Sequence, residues 1–221
     1  MAKSRPNPLT AYFEANNGRV IHKWMHYFDI YHRHFERFRG TSPTVLEFGV
    51  YRGGSLQMWK WYFGRRATIV GVDIDPDCKQ YEEDSIRVEI GDQEDREFLR
   101  SLADRFGPFD VVIDDGGHTM AQQLATFDEI YPRTRGTFLV EDLHTSYWAE
   151  FDGGYRKGGT FIERAKELVD QLNAWHSRDA GSFQVDAFTR STGGIHFYDS
   201  VIVFEKEDRA EPFHRMTGDG K

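Results

Sequence analysis

Two short stretches of the chain place acids and a histidine directly after an apolar run. Residues 111–119 read VVIDDGGHT, and residues 138–145 read FLVEDLHT. Apolar, β-branched runs are typical of buried strands, so both sets of acids are expected at strand ends. His118 and His144 follow these acids within three residues. Each imidazole has a pKa near neutrality, so either is suited to accept a proton as a general base.

The acids at these two strand ends form a candidate metal site. If the two strands are neighbours in a sheet, they lie about 4.8 Å apart, and Glu141, Asp142 and either Asp114 or Asp115 converge. No Lys or Arg occurs at 110–132 or 136–155 to neutralise them. Carboxylates packed together repel each other unless a cation intervenes, and all-oxygen ligands favour Mg²⁺ or another hard divalent cation. The sequence therefore predicts a metal that holds a substrate hydroxyl beside a histidine base.

The ends of three earlier strands carry a second series of polar residues. The first is a glycine-bearing turn, EFGVYRGGS at 47–55, where a ligand can approach the backbone at a helix N-terminus. Asp73 lies 24 residues after Gly49, a spacing that suits ribose hydroxyls. Asp92 and Gln93 follow the third strand, where an acid or amide suits an adenine amino group. The glycine spacing departs from G-x-G-x-x-G, which favours an adenosine ligand without a pyrophosphate, such as S-adenosylmethionine.

These strand ends require a sheet, and the chain from residue 44 onwards predicts one. Strands are predicted at 44–50, 67–74, 85–92, 109–115 and 136–142, and helices at 55–63, 94–106, 121–131 and 161–176. This alternation is typical of an α/β fold with a parallel sheet covered by helices on both faces. Two further strand-like runs, 183–189 and 195–206, have no helix between them. One strand near an edge is therefore expected to be antiparallel.

An extension precedes the predicted sheet. Apolar residues recur from 21 to 38 at helical spacing and predict a helix over 20–39. We assign 1–43 to an N-terminal helical extension, 44–206 to one ligand-binding domain and 207–221 to a polar C-terminal tail. Four histidines of the extension lack accompanying acids and are expected at the surface or at an interface: His22, His26, His32 and His34. The glycine-rich stretch 151–160 predicts either a surface loop or an active-site lid.

The composition argues against several classes of protein. The chain has 221 residues, a formal net charge of −8 and a pI near 5.6, which disfavours non-specific nucleic-acid binding. No apolar stretch is long enough for a membrane span and the N-terminus lacks a signal-peptide pattern, so a cytoplasmic location without a membrane partner is expected. The single cysteine, Cys78, fits a reducing compartment. Homo-oligomerisation is left open.

Five motifs, taken together and in order, resemble those of a known enzyme family: VLEFGVYRGGS, GVDID, GDQED, VIDDGGH and VEDLHTSYW. The family is the metal-dependent sugar O-methyltransferases that act on macrolide glycosides and related natural products, and the resemblance covers most of 44–205. It implies a Rossmann-like class I methyltransferase fold with a seven-stranded sheet, S-adenosylmethionine as cofactor and a sugar or oligosaccharide acceptor. Matched by motif, the metal ligands are Asp115, Glu141 and Asp142, and the base is His118, with His144 competing for that role. The resemblance places cofactor positions at Glu47, Gly49, Asp73 and Asp92. We add five candidates from the same strand ends: Tyr51, Gly53, Ser55, Gln93 and Asp114.

The acceptor is less closely defined by this resemblance. The macrolide enzymes carry an additional N-terminal domain, whereas only residues 1–43 precede the first predicted strand here. The compact form looks most similar to methylmannose polysaccharide 1-O-methyltransferases, which implies the 1-hydroxyl of a methylated mannoside in polysaccharide biosynthesis. Tyr147, Trp148 and the 151–160 stretch are expected to line the acceptor pocket.

Two other functions are compatible with a nucleotide-binding α/β fold. An NAD-dependent sugar dehydrogenase or epimerase would carry a Tyr-x-x-x-Lys pair beside a strand end, and the sequence has none there. A non-catalytic module that binds S-adenosylmethionine would not need acids and histidines on both loops. The sequence therefore favours a magnesium-assisted O-methyltransferase.

Overall fold

Seven strands form one sheet in the computed structural model of the chain, which describes residues 7–179 and 181–218. The strands are β1 Thr44–Phe48, β2 Thr68–Asp73, β3 Ile86–Ile90, β4 Phe109–Asp114, β5 Thr134–Val140, β6 Thr192–Tyr198 and β7 Val201–Lys206. The α-helices are α1 Pro8–Glu14, α2 Tyr27–Phe35, α3 Gly54–Phe63, α4 Arg96–Phe106, α5 Met120–Ile130, α6 Phe161–Leu172 and α7 Ala187–Ser191. The strand order is β3-β2-β1-β4-β5-β7-β6.

The sheet has the predicted mixed topology. Strands β3, β2, β1, β4 and β5 are parallel, and β7 runs antiparallel to both β5 and β6. The fold is therefore α/β and Rossmann-like, with an antiparallel strand next to one edge. In the register of the central strands, Asp114 of β4 pairs with Phe48 of β1 and with Val140 of β5. The acids that follow β4 and β5 therefore emerge side by side at the carboxyl edge.

Helices cover both faces of the sheet, because successive strand residues point to opposite sides. In β1, Val45 packs with the helices α1, α2 and α3, whereas Leu46 packs with α4, α5 and α6. Both residues are completely buried. Helix α2 contributes the aromatic side chains of Tyr27, Phe28, Tyr31 and Phe35 to the first of these layers. The N-terminal helices are thus part of the sheet's covering layer.

The helix predicted over 20–39 is shorter in the structure. Residues 15–26, here called the N-terminal linker, form neither helix nor strand, and α2 begins at Tyr27. The apolar residues Trp24 and Met25 that completed the helical pattern are half-exposed, so they do not face the core. The linker backbone instead packs on α3, where a Cβ at Gly54 would lie 2.3 Å from the carbonyl oxygen of Val20.

The predicted strand over 183–189 is also absent from the described residues. The short helix α7 begins there, and its N-cap Asp186 exchanges hydrogen bonds with Thr189 in a capping box. The helix predicted to end at 176 ends at Leu172. Parts of the assigned extension and tail, residues 1–6 and 219–221, lie outside the described residues. No helix in the described part of the chain is long and apolar enough to cross a membrane.

Candidate active site

Two adjoining cavities open at the carboxyl edge of the sheet, where open α/β sheets bind ligands. The larger has a volume of about 550 Å³ and is walled by residues that follow β1, β2, β3 and β4. The smaller, about 310 Å³, lies between the N-terminal linker and the acids that follow β4 and β5. Tyr51 and Asp115 line both cavities. Ligands in the two cavities would therefore meet at these residues.

The larger cavity collects part of the predicted cofactor series. Its wall includes five of the nine predicted positions, namely Gly49, Tyr51, Asp73, Asp92 and Gln93. A Cβ at Gly49, whose φ is +89°, would lie 2.0 Å from the carbonyl oxygen of Asp115. The glycine is therefore required by the close approach of the loops after β1 and β4 as well as by any ligand.

Asp73 is held rigidly in this wall. One carboxylate oxygen accepts hydrogen bonds from the amides of Val50 (2.9 Å) and Tyr51 (3.0 Å), and the other accepts from the amide of Asp75 (3.0 Å). Partial burial raises the pKa of Asp73, but these amides outweigh it, so the pKa is lowered. Asp73 thus presents a fixed carboxylate to the cavity and also anchors the glycine turn.

Four predicted cofactor positions do not lie in this wall: Glu47, Gly53, Ser55 and Asp114. Glu47 is fully buried and accepts hydrogen bonds from Ser55 Oγ (2.7 Å) and Trp59 Nε1 (3.0 Å). Asp114 is also fully buried and accepts a 2.6 Å hydrogen bond from Gln93 Nε2. Burial raises the pKa of Asp114 to about 7. These side chains support the cavity from beneath.

The smaller cavity brings together the three predicted metal ligands, Asp115, Glu141 and Asp142. It also contains a cation that the sequence analysis did not identify. Lys23 of the N-terminal linker binds both Asp115 and Glu141 through its ammonium group, which lies 3.6 Å from Glu47 Oε1. Its side chain is only 3% exposed. The prediction that these acids lack a neutralising residue is therefore wrong, because the tertiary fold delivers one from a distant part of the chain.

Helix α2 adds two phenols to this carboxylate cluster. The Tyr31 hydroxyl donates to Glu141 Oε2, and the Tyr27 hydroxyl donates to Asp142 Oδ1 over 2.6 Å. Burial, reinforced by the charge of Asp115, raises the pKa of Glu141 to about 8. Burial also raises the pKa of Asp115 to about 6, although Lys23 works in the opposite direction. The cluster therefore contains more carboxyl groups than the single Lys23 ammonium can pair with.

The two candidate bases stand on opposite sides of Asp142. His118 Nε2 is 3.5 Å from Asp142 Oδ2 and 3.8 Å from Asp115 Oδ1, while its buried Nδ1 has no hydrogen-bond partner among the residues that the structure describes. Burial lowers the pKa of His118. His144 Nδ1 is 2.6 Å from Ser200 Oγ and 4.0 Å from Asp142 Oδ1. Ser200 Oγ also accepts a hydrogen bond from the His144 amide, so this imidazole is held at two points.

The donor set fits a divalent cation. Ligand atoms of Asp115, His118 and Asp142 lie within 4.8 Å of one another, and Glu141 adjoins them through Lys23. Carboxylate oxygens predominate, as hard cations such as Mg²⁺ prefer. The surplus of carboxylates over ammonium groups also favours the entry of positive charge.

Half-exposed aromatic side chains surround His144. The ring centroid of Trp148 lies 4.6 Å from that of His144, and the centroid of Trp24 lies 6.1 Å away on the linker side. Trp24 lines the smaller cavity, together with His22, which had been expected at the surface or at an interface. Residues 151–160 line neither cavity; the amides of Gly153 and Gly154 instead donate to the carbonyls of Trp148 and Ser146.

Comparison with known proteins gives relatives that are all named as O-methyltransferases. The chain is 39% identical over 186 residues to 8-demethyl-8-alpha-L-rhamnosyl tetracenomycin-C 2'-O-methyltransferase of Streptomyces olivaceus, covering 80% of this chain and 49% of that protein. It is 36% identical to demethylmacrocin O-methyltransferase of Streptomyces fradiae (95% and 55%) and 37% identical to mycinamicin VI 2''-O-methyltransferase of Micromonospora griseorubida (80% and 47%). The chain thus spans about half the length of the curated relatives it matches. No protein-family model matches it.

The comparison of folds agrees. The MycE methyltransferase of the mycinamycin biosynthetic pathway, solved in complex with Mg and SAH, superposes with a TM-score of 0.80 at 33% identity. The match covers 91% of this chain and 54% of that one. A further MycE structure, with Mg, SAH and mycinamycin VI, gives a TM-score of 0.79. The resemblance drawn from the motifs is therefore confirmed, as is the Rossmann-like methyltransferase fold.

Proposed function

We propose that this chain, a relative of sugar O-methyltransferases along most of its length, transfers a methyl group from S-adenosylmethionine to a sugar hydroxyl with the help of Mg²⁺. The observation that carries this proposal is the junction of the two cavities at Asp115 and Tyr51. One cavity offers a fixed carboxylate for an adenosine ligand, and the other offers an excess of carboxylates beside two histidines. A methyl donor and a metal-held acceptor would meet where the cavities join.

The larger cavity is assigned to S-adenosylmethionine. Asp73 would accept hydrogen bonds from the ribose hydroxyls, since its carboxylate is exposed to the cavity and held in place by three amides. Asp92 and Gln93 lie at the end of β3, farther along the same wall, and are assigned to the adenine end. Gly49 lies in the same wall and, because it has no side chain, lets the loop after β4 pack against the turn after β1.

The smaller cavity is assigned to the metal and the acceptor. Asp115, Glu141 and Asp142 would hold Mg²⁺, which when bound lowers the pKa of a coordinated hydroxyl and orients it. Tyr27 and Tyr31 fix the carboxylates of Asp142 and Glu141 by donating hydrogen bonds to them. Trp24 and Trp148 provide aromatic faces on which a sugar ring can pack beside His144.

The proton is assigned first to His144. Ser200 Oγ can accept a hydrogen bond from Nδ1–H of His144, and in that tautomer Nε2 is the basic nitrogen. In the reaction the acceptor oxygen forms a bond to the methyl carbon, and the carbon–sulfur bond breaks with its electron pair moving to sulfur. The hydroxyl proton passes to Nε2. His118 is the second candidate, because its Nε2 faces Asp142 and Asp115 and its lowered pKa keeps it neutral.

Binding measurements test the proposal before any acceptor is known. Calorimetry should detect S-adenosylhomocysteine and, separately, Mg²⁺. Asp73→Ala should lose the nucleotide but keep the metal, and Asp142→Ala should show the reverse. Absence of nucleotide binding to the wild-type protein would remove the methyltransferase proposal, and unchanged turnover after chelation would remove the metal from it.

The acceptor is the finer part of the proposal. The relatives reported above are named for rhamnosyl tetracenomycin, macrocin and mycinamicin substrates, and none of those three is named for a mannoside. The 1-hydroxyl of a methylated mannoside is therefore a prediction from sequence alone. Release of S-adenosylhomocysteine with matched sets of rhamnosides and O-methylmannosides would distinguish the two acceptor classes.

A further inference from the structure

The carboxylate cluster already contains one cation, Lys23. Its ammonium lies between Asp115 Oδ2 and Glu141 Oε1, with Glu47 as a third carboxylate nearby. The side chain is almost fully buried, whereas the next residue, Trp24, is 56% exposed. A lysine of the irregular N-terminal linker is thus inserted into the site assigned to the metal.

We propose that Lys23 competes with the divalent cation for Asp115 and Glu141. Lys23 binds these carboxylates in the metal-free protein and must leave them when the metal binds. This inference rests on the proposed function, because it concerns the same metal site. Lys23 compensates the buried carboxylates in the metal-free protein. Metal binding then releases the Lys23 side chain from these carboxylates.

The contacts of Glu141 indicate that the metal replaces Lys23 and does not bind beside it. One oxygen of Glu141 binds Lys23 and the other binds the Tyr31 hydroxyl, and the side chain is only 1% exposed. Mg²⁺ lies about 2.0–2.1 Å from its oxygen ligands. A cation that used Glu141 Oε1 and Asp115 Oδ2 as ligands would compete with the Lys23 ammonium for the same two oxygens.

A metal bound without displacing Lys23 would have a poorer ligand set. The remaining ligand atoms that lie close together belong to Asp115, His118 and Asp142, so one of the three ligands would be an imidazole nitrogen. Mg²⁺ prefers oxygen ligands and near-octahedral geometry. A hard cation is therefore expected to recruit Glu141, and it recruits Glu141 only if Lys23 leaves.

The position of Lys23 makes its release feasible. It lies in a linker without helical or strand hydrogen bonding, and a lysine side chain is a flexible four-carbon stem with a strongly hydrated head. Trp24, which follows it directly, lies against His144 at the aromatic rim. Displacement of Lys23 would therefore also change the side of the acceptor pocket that the linker forms.

Metal affinity measured by calorimetry, without cofactor or acceptor, tests the exchange. Lys23→Met removes the competitor. We expect Mg²⁺ or Mn²⁺ to bind about tenfold more tightly to this variant, because no ammonium has to leave Asp115 and Glu141 before the metal binds. Lys60→Met, which removes a partly exposed lysine paired with Glu83, is the matched control and should leave the affinity unchanged. Equal or weaker binding by Lys23→Met would overturn the exchange while leaving the metal site intact. Lack of metal binding by the wild-type protein and Lys23→Met alike would overturn both the exchange and the metal part of the proposed function.

A second measurement uses the wild-type chain, in case the variant does not fold. Lysine acetylation read by mass spectrometry should be slow at Lys23 in the metal-free protein and several-fold faster in saturating Mg²⁺. Lys79, which is 52% exposed, serves as an internal control whose rate should not change. Unchanged or slower labelling of Lys23 in the presence of Mg²⁺ would contradict the exchange.

Discussion

Helix α2 and the turn after it cover two clusters of acids and histidines that differ in charge balance. In the carboxylate cluster, Tyr27 and Tyr31 contact Asp142 and Glu141, and Lys23 is the ammonium that meets the acids. The second cluster, here called the Glu205 cluster, contains His34, Arg37, Thr137, His196 and Glu205. There a single carboxylate meets a guanidinium and an imidazole. Carboxyl groups outnumber cationic side chains in the first cluster but not in the second.

The pKa values of the acids follow this difference. Although burial raises the pKa of Glu205, hydrogen bonds from His34 and Arg37 outweigh it, and the pKa is lowered. Burial and a neighbouring carboxylate instead raise the pKa of Glu141 to about 8. Ligand-type atoms of His34, His196 and Glu205 also lie within 4.8 Å of one another. Acids and histidines can therefore form either a structural cluster or a candidate cation site, and the local balance of charged groups distinguishes the two.

The largest expected difference between the clusters is in catalysis. Replacing His144 by Ala should lower methyl transfer by roughly 10²–10⁴-fold, the usual contribution of a positioned general base. Glu205→Gln should leave turnover close to wild type, because Glu205 pairs with Thr137 of β5 and contacts His34 and Arg37, not the acids that follow β4 and β5. Initial rates of S-adenosylhomocysteine release measure both. A larger loss in His118→Ala than in His144→Ala would transfer the role of base to His118.

The next effect is on folding stability and should fall on the Glu205 cluster. Glu205→Gln weakens hydrogen bonds from Arg37 and His34, and hydrogen bonds to charged groups contribute about 1.5–3 kcal/mol each. We expect the free energy of unfolding in urea to drop by about 2 kcal/mol. Glu167→Gln, which removes a 71% exposed partner of Arg164, should change it by less than about 0.5 kcal/mol. Equal losses of unfolding free energy in Glu205→Gln and Glu167→Gln would show that the Glu205 cluster stabilises the fold no more than a surface ion pair does.

The smallest effect, counted per pH unit, is a dependence of stability on pH that has opposite sign in the two clusters. Glu141 has a native pKa above its unfolded value, so the native state binds more protons between about pH 4.5 and 8, and stability falls as the pH rises through that window. Glu205 has a lowered pKa, so its contribution is lost as the pH falls below its unfolded value. One such group changes the slope by at most about 1.4 kcal/mol per pH unit. In urea unfolding of the metal-free protein, the free energy of unfolding should fall from pH 5 to pH 8, and it should fall less steeply in Glu141→Gln. An identical slope in that variant would count against a raised pKa of Glu141 in the native state.

The sheet and the placement of its acids could be predicted from sequence because both depend on local patterns. Apolar runs alternating with amphipathic helices predict parallel strands, and the carboxyl ends of parallel strands meet at one edge. Asp115, Glu141 and Asp142 were placed together on this basis, and the structure brings them together. Their roles as metal ligands, and those of the two histidines, stay predictions.

The contribution of the N-terminal linker and of α2 could not be found in this way. Lys23 precedes Asp115 by 92 positions and Glu141 by 118, and it lies within a run whose periodicity indicates a helix. His34, expected at the surface or at an interface, is buried against Glu205 for a similar reason. The one available signal was the acid excess itself, which requires a cation but does not say whether it is a residue or an ion.

The sequence by itself therefore determined the fold class, the parallel core of the sheet and the strand ends at which polar chemistry is placed. Tertiary structure alone decided which distant side chains complete those strand ends: Lys23 and Tyr31 around Glu141, Tyr27 at Asp142, Ser200 at His144 and Arg37 at Glu205. The physical reason is range. Backbone patterns and strand register act between near neighbours along the chain or across a sheet, whereas charge balance in a buried site sums over every group that the fold brings within a few ångströms.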